Sequence, residues 1–300
     1  MKRQLLAAMV CVMAVMNVAS ADIIRGINID FVTIDNAVNA PDTQVMSDGT
    51  TSGYGAVGYN YRIGKYEVTA AQWQTINTAS LIGDLGDWSG NQPVASITWY
   101  SIARFCNYLT TGNTENGVYE FTGGSLTHIM DHQQAGSTYG TAYFLPTEDE
   151  WHKAAYYKPD GSGYTLYANG TDIAPVAGVD SNYDWVNSQP WNVGIGTQEQ
   201  NGTFDMMGNV WEWTETADGS DRVILGGSYL SLSGYWSNGY YYRDLASSRR
   251  NFDAPYSENY SYGFRVASVG EPTVIPVPGA VVLGVIGIGS VTWLRRRRAI

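Results

Sequence analysis

The 300-residue chain offers few side chains suited to covalent or metal chemistry: two cysteines and three histidines. Cys11 stands in an apolar opening segment, so once that segment is removed Cys106 has no disulfide partner within the chain. Cys106 lies in WYSIARFCNYL, where Trp99, Ile102, Ala103, Cys106 and Leu109 recur at helical spacing. It therefore reads as a small buried apolar residue and not as a nucleophile. His128 and His132, four apart around Asp131, would share a metal if one helix face carried both. The flanking Gly123-Gly124 and Gln133-Gln134-Ala135-Gly136 point instead to a mobile loop. His152, beside Trp151, has the chemistry of a general base, but the helical pattern around it turns it toward solvent or a surface groove. In Gly208-Asn209-Val210-Trp211-Glu212-Trp213, alternation puts Trp211 and Trp213 on one face, Glu212 on the other and Asn209 in a turn. Gly226-Gly227-Ser228-Tyr229 permits a close backbone approach. Tyr235, Trp236, Tyr240, Tyr241, Tyr242 and Arg243 form an aromatic run that suits stacking on sugars or peptides, and equally suits core packing.

These groups need a scaffold, and the composition describes one. Hydrophobic residues make up 44% and charged residues only 15%, with 34 Gly, 22 Tyr and 10 Trp, which marks a loop-rich, aromatic globule and excludes a disordered chain or a helical bundle. Ile23 to Ile34 and Tyr59 to Val68 alternate as strands do. Thr69 caps a helix through Trp73 and Ile76, and a second helix spans Thr98 to Leu109. Thr147 with Glu150 forms a capping-box pattern opening a third, which Pro159-Asp160-Gly161 ends. From Gly161 to Ser268 short strands and long ordered loops are expected.

The two ends read as addresses. Residues 1 to 21 combine Lys2-Arg3, an apolar run and Ala19-Ser20-Ala21, the pattern of a cleaved signal peptide. Residues 272 to 300 hold Pro276-Val277-Pro278, an uncharged stretch 280–294 able to enter a membrane, and Arg295 to Arg298, which the positive-inside rule keeps on the cytoplasmic side. Six of the 17 basic residues lie in these two segments, so the body between them is more acidic than the formal charge of -11 for the whole chain. Such a surface disfavours nucleic acid and favours cations.

Six strings in order, IGKYEVTAAQW (63–73), PVASITWYSIARFCNYL (93–109), FLPTEDEWHKAAYY (144–157), FDMMGNVWEWTE (204–215), LGGSY (225–229) and YGFRVA (262–267), resemble the formylglycine-generating (sulfatase-modifying) enzymes. The resemblance covers nearly all of residues 22–271 and implies an irregular, loop-rich α+β fold of C-type lectin-like architecture. It further implies a structural calcium held at Gly208, Val210 and Glu212 with Asn209 beside them. A second calcium would lie at Asn182 and Tyr183, with Asp184 nearby. The family's oxidase uses two cysteines on Cu(I) to convert a substrate cysteine to formylglycine, and those positions fall on Ser231 and Trp236 here. A hydroxyl and an indole do not replace two thiolates for a soft ion, so no copper is expected. The cleft would be lined by Ser228, Tyr229, Tyr235, Trp236, Tyr240 and Arg243. Residues 272–300 resemble a PEP-CTERM sorting tail, with Pro-Val-Pro where Pro-Glu-Pro is usual, which implies an exosortase-type protease as partner; a permanent single-span anchor is the alternative.

The reading that results is an exported cell-surface or matrix protein whose domain has lost the oxidase and binds a peptide or glycan. Its alternatives are a divergent enzyme of the superfamily acting on protein or thiol substrates, and a purely structural matrix component.

Overall fold

In the computed structural model, residues 20–270 are described except 48, 50–51, 78–86 and 238–239. The expected leader up to Ala19 and the expected sorting tail lie outside the described residues.

The chain opens on a hairpin, β1 (Ser20–Ile24) and β2 (Ile27–Ile34), followed by β3 (Tyr61–Gly64) and α1 (Ala70–Asn77). β1 begins two residues inside the expected leader, so cleavage after Ala21 would remove the Ser20–Phe31 and Ala21–Asp30 pairs and leave the rest. Next come α2 (Trp99–Thr111), the hairpin β4 (Tyr119–Thr122) and β5 (Ser125–Ile129), α3 (His132–Tyr139), β6 (Thr141–Phe144) and α4 (Glu148–Tyr156). Among the described residues after α4 the elements are strands: β7 (Trp211–Asp218), β8 (Asp221–Leu225), β9 (Tyr235–Ser237), β10 (Tyr240–Tyr242), β11 (Asn251–Asp253), β12 (Tyr262–Gly263) and β13 (Ala267–Gly270). Two larger sheets result, ordered β1-β2-β3-β13-β6 and β11-β8-β7-β12, with the hairpins β4-β5 and β9-β10 beside them.

The helix starts follow from their caps. Thr69 Oγ1 accepts from Gln72 N at 3.2 Å while Gln72 Oε1 accepts from Thr69 N at 2.7 Å, so two end amides are satisfied reciprocally. Thr147 and Glu150 do the same for α4, whose first turn carries Glu148, Asp149 and Glu150 against the helix dipole. α2 ends at Gly112 in the left-handed region, which closes its last turn onto Tyr108 O.

The core joins helices to both sheets through aromatic rings. Trp73 stacks on Phe105 with centroids 5.3 Å apart, and Phe264 meets both edge-on. Trp151 and Trp213 are fully buried, and Cys106 is buried in α2, as its spacing predicted. α4 departs from a surface helix: every residue from Glu150 to Tyr156 is buried, so no face of that stretch looks at solvent. His152, read from the sequence as turned toward solvent or a surface groove, is 2% exposed because the loop 39–55 covers that side.

Candidate functional site

β8 leads directly into Gly226-Gly227. Gly226 has φ +93°, and a Cβ there would meet Met206 O at 2.8 Å and the Trp151 ring at 3.1 Å, so only glycine fits this approach. Gly208 N donates to Gly226 O at 2.9 Å, which welds the double-glycine turn to the Gly208-Asn209 turn. The next residues close on themselves: Ser228 N donates to Ser231 Oγ at 3.0 Å and Ser231 N to Ser228 O at 2.9 Å. Ser228, Tyr229 and Ser231 are buried. The Ser231 hydroxyl is thus an acceptor holding a turn.

The expected cleft is brought together only in part. β9 and β10 pair with Trp236 opposite Tyr241, so the aromatic run folds as a hairpin; the side chains of Trp236 and Tyr240 lie outside the described residues. Tyr235 is half-buried with its hydroxyl 3.4 Å from Asp244 Oδ1. Arg243 is exposed and, with Tyr183, Ser233 and Leu245, borders a space of about 10 Å³, which admits a single water. Among the described residues of the expected cleft, Ser228 and Tyr229 are buried, Tyr235 is half-buried and Arg243 is exposed.

Glu212 departs further from its expected role as a calcium ligand. Arg265, fully buried, donates to both its oxygens, from Nη2 to Oε1 at 2.6 Å and from Nε to Oε2 at 2.7 Å. Trp151 Nε1 adds a third donor at 2.7 Å. Alternation alone would have shown Glu212 on an open face, yet Trp211 to Thr214 are all buried because β8 and β12 flank β7 and α4 covers it. Asn209 is equally committed. Its Oδ1 accepts from Trp191 N and Asn182 Nδ2, at 2.9 and 3.2 Å, and its Nδ2 donates to Glu67 Oε2 at 2.6 Å. At the second expected site, Asn182 O accepts from Asn209 N, Asn182 Oδ1 accepts from Asn187, Tyr183 is buried and Asp184 points into solvent.

Three more buried carboxyls, Glu67, Glu199 and Asp205, share the surroundings of Arg265. Burial, with Asp205 and Glu212 nearby, pushes Glu67 well above the usual carboxylate range. Burial likewise lifts Asp205 and pushes Glu199 up to about 8. One guanidinium is therefore matched to one carboxylate while its neighbours are driven toward the neutral form. Both Glu212 oxygens are thus engaged by protein donors in this arrangement. Among the described residues no group of three or more His, Cys, Asp or Glu side chains is arranged to hold a metal.

The histidines occupy different elements from those the sequence suggested. His128 is exposed on β5, whereas His132 opens α3 and is buried. His132 bridges two acids, Nδ1 to Glu150 Oε1 and Nε2 to Glu215 Oε2, each at 3.1 Å, and its ring stacks on Phe144. Burial alone would lower its pKa; Glu150 and then Glu215 overcome that and push it up to about 10. His152 Nε2 pairs with Asp42 Oδ2 at 3.0 Å. Asp42 in turn borders an open groove of about 600 Å³, with Gln44, Tyr164, Leu166, Asp172 and Ser247. Beyond turn-forming residues at 39–42 this groove left no sign in the sequence, since its walls come from segments 75 or more residues apart.

Fold and site together define a lectin-like α+β domain of formylglycine-generating-enzyme type. The chain belongs to the sulfatase-modifying factor enzyme 1-like domain family, whose sequence model matches residues 52–269. It is 24% identical to the formylglycine-generating enzyme of Mus musculus over 278 residues, covering 77% of this chain and 72% of that protein. It is 25% identical to the inactive C-alpha-formylglycine-generating enzyme 2 of Bos taurus over 188 residues, covering 59% of this chain and 61% of that one. Among solved structures, variable protein 1 of Treponema denticola superposes with a TM-score of 0.59 and 22% identity, over 84% of this chain and 99% of that one. The identities to the enzyme and to the inactive relative are nearly equal.

Proposed function

We propose that this chain is an exported, surface-directed binding module on the formylglycine-generating-enzyme fold, without the copper oxidase, that takes a peptide or glycan ligand. The observation that carries this reading is Ser231. Where a soft ion needs sulfur, a buried hydroxyl accepts a hydrogen bond from its own turn, and the partner position is Trp236. The body's single thiol, Cys106, is sealed in α2, and burial raises its pKa well above the ordinary thiol value, so it supplies no thiolate. The leader pattern of residues 1–21 supports export. The proline motif, apolar stretch 280–294 and arginine cluster support sorting by an exosortase-type protease, with membrane contact during that step.

The test is incubation of the full chain with a Cys-X-Pro-X-Arg peptide, Cu(I) and oxygen, read by mass spectrometry. An unmodified peptide is expected. Formylglycine product would remove the non-catalytic reading, and the divergent enzyme would take its place.

A further inference from the structure

Asp184 and Trp185 are consecutive non-glycine residues with positive φ, +61° and +59°. Such a backbone is uncommon for aspartate and a true outlier for a bulky side chain, so the surrounding structure must impose it. It does so from the double-glycine turn: Asp184 N donates to Ser231 O at 2.7 Å and Trp185 N to Tyr229 O at 3.2 Å. A ladder of side-chain amides fixes the rest of the loop. Asn187 Nδ2 donates to Asn182 Oδ1, Asn182 Nδ2 to Asn209 Oδ1, and Asn209 Nδ2 to the buried Glu67. Imposed strain and a four-member anchor would be wasted on a residue that packed inward, but Trp185 is 61% exposed. No ring contact or hydrogen bond engages its indole among the described residues.

We infer that Trp185 is a fixed stacking platform for a neutral pyranose of a glycan, which rests on the binding-module reading above and names its ligand class. An indole offers a flat apolar face to a sugar's C–H side and an N–H to a hydroxyl. In the same loop, the exposed side chains of Asp184, Ser188 and Gln189 carry acceptors and donors suited to a sugar's hydroxyls. Residues 180–201 contain no Lys or Arg, and the chain is strongly acidic, so phosphorylated, sulfated or uronic-acid ligands are repelled. Peptides are taken by strand edges, apolar grooves or arginine clusters. The loop 182–190 offers neither a strand nor an arginine, and its Trp185 ring stands exposed. Because the loop is already ordered, little conformational freedom is lost on binding.

The experiment places the full chain on an array of neutral hexose, N-acetylhexosamine and uronic-acid oligosaccharides, then titrates the best ligand by calorimetry. Wild type binds at least one neutral oligosaccharide, and Trp185→Ala weakens it by about tenfold or more. Trp185→Phe keeps most of the affinity. Trp185→Gly, which relieves the left-handed backbone, melts no lower than wild type and still loses binding, so misfolding cannot mimic the result. Absence of any neutral ligand, preference for the uronic acids, or Trp185→Ala binding as wild type would each overturn the proposal. Binding that survives Trp185→Ala would leave the binding module standing and remove only this platform. Turnover of the cysteine peptide would remove the non-catalytic reading independently.

Discussion

Replacing Arg265 with methionine isolates what its guanidinium does. Arg265 is 0% exposed, holds both oxygens of Glu212, and also donates to Gly64 O at 3.0 Å and Phe204 O at 2.9 Å. Methionine fills most of the volume but leaves Glu212 as a buried charge with Trp151 as its remaining donor. Breaking a buried pair on one side costs about 3–5 kcal/mol. In a domain of this size each kcal/mol lowers the melting temperature by roughly 2–4 °C, so the variant should melt about 6–20 °C below wild type. Adding Glu212→Gln to Arg265→Met should restore part of the loss, and the four-protein cycle by urea denaturation gives the coupling. A chelator should leave the wild-type melt unchanged. The reasoning fails if Arg265→Met lies within about 1 kcal/mol of wild type, a surface-pair value. It fails equally if chelation lowers the wild-type melt, which would return Glu212 to calcium.

Two further expectations concern other parts of the site. His132 is held protonated, up to about 10, by Glu150 and Glu215 against an unfolded value near 6.5. A base with a raised folded pKa contributes fully below the unfolded value and loses that contribution as pH rises. Wild type should therefore lose up to roughly 4 kcal/mol relative to His132→Gln between pH 7 and pH 10, and parallel stability curves for the two would refute the bridge. Gly226→Ala forces a Cβ to 2.8 Å from Met206 O at φ +93° and should cost about 2 kcal/mol or more, read by thermal melting. Gly219→Asn, with no atom within 4 Å of its Cβ, should cost less than about 1 kcal/mol and serves as the control.

The sequence was most informative where the determinant is local. Thr69 and Thr147 cap their helices where their spacing predicts, Cys106 is buried on the apolar stripe it completes, and Gly226-Gly227 makes the close approach expected of two glycines. It failed where a side chain's role depends on a partner far along the chain. Glu212 finds Arg265 53 residues on, and His152 finds Asp42 110 residues back. Periodicity assigns a face but cannot say what covers it, so His152 looked open and Glu212 looked available. α3 escaped notice because HQQAGSTY has no apolar stripe; it is held by Asp131 at its start, where Oδ1 accepts from Gln134 N at 3.0 Å, and by burial of His132 and Ala135. The strain at Trp185 left no trace in its neighbours' types, since it is imposed by carbonyls of a turn more than 40 residues later.

β13 is an interior strand of its sheet, between β3 and the edge strand β6, with Ala267 opposite both Ile63 and Phe144. The strand made last is thus the keystone of the strands made first. Until about residue 270 has been synthesised, β3 and β6 lack the partner that joins them and Glu212 lacks its counter-charge, so the earlier segments can collapse but cannot lock. Closing loops of some 200 residues is slow in entropy terms, and the half-made chain exposes unpaired edges meanwhile. Assembly of this domain is all but confined to the moment after its full length is available, which leaves a long interval in which the polypeptide is still threadable.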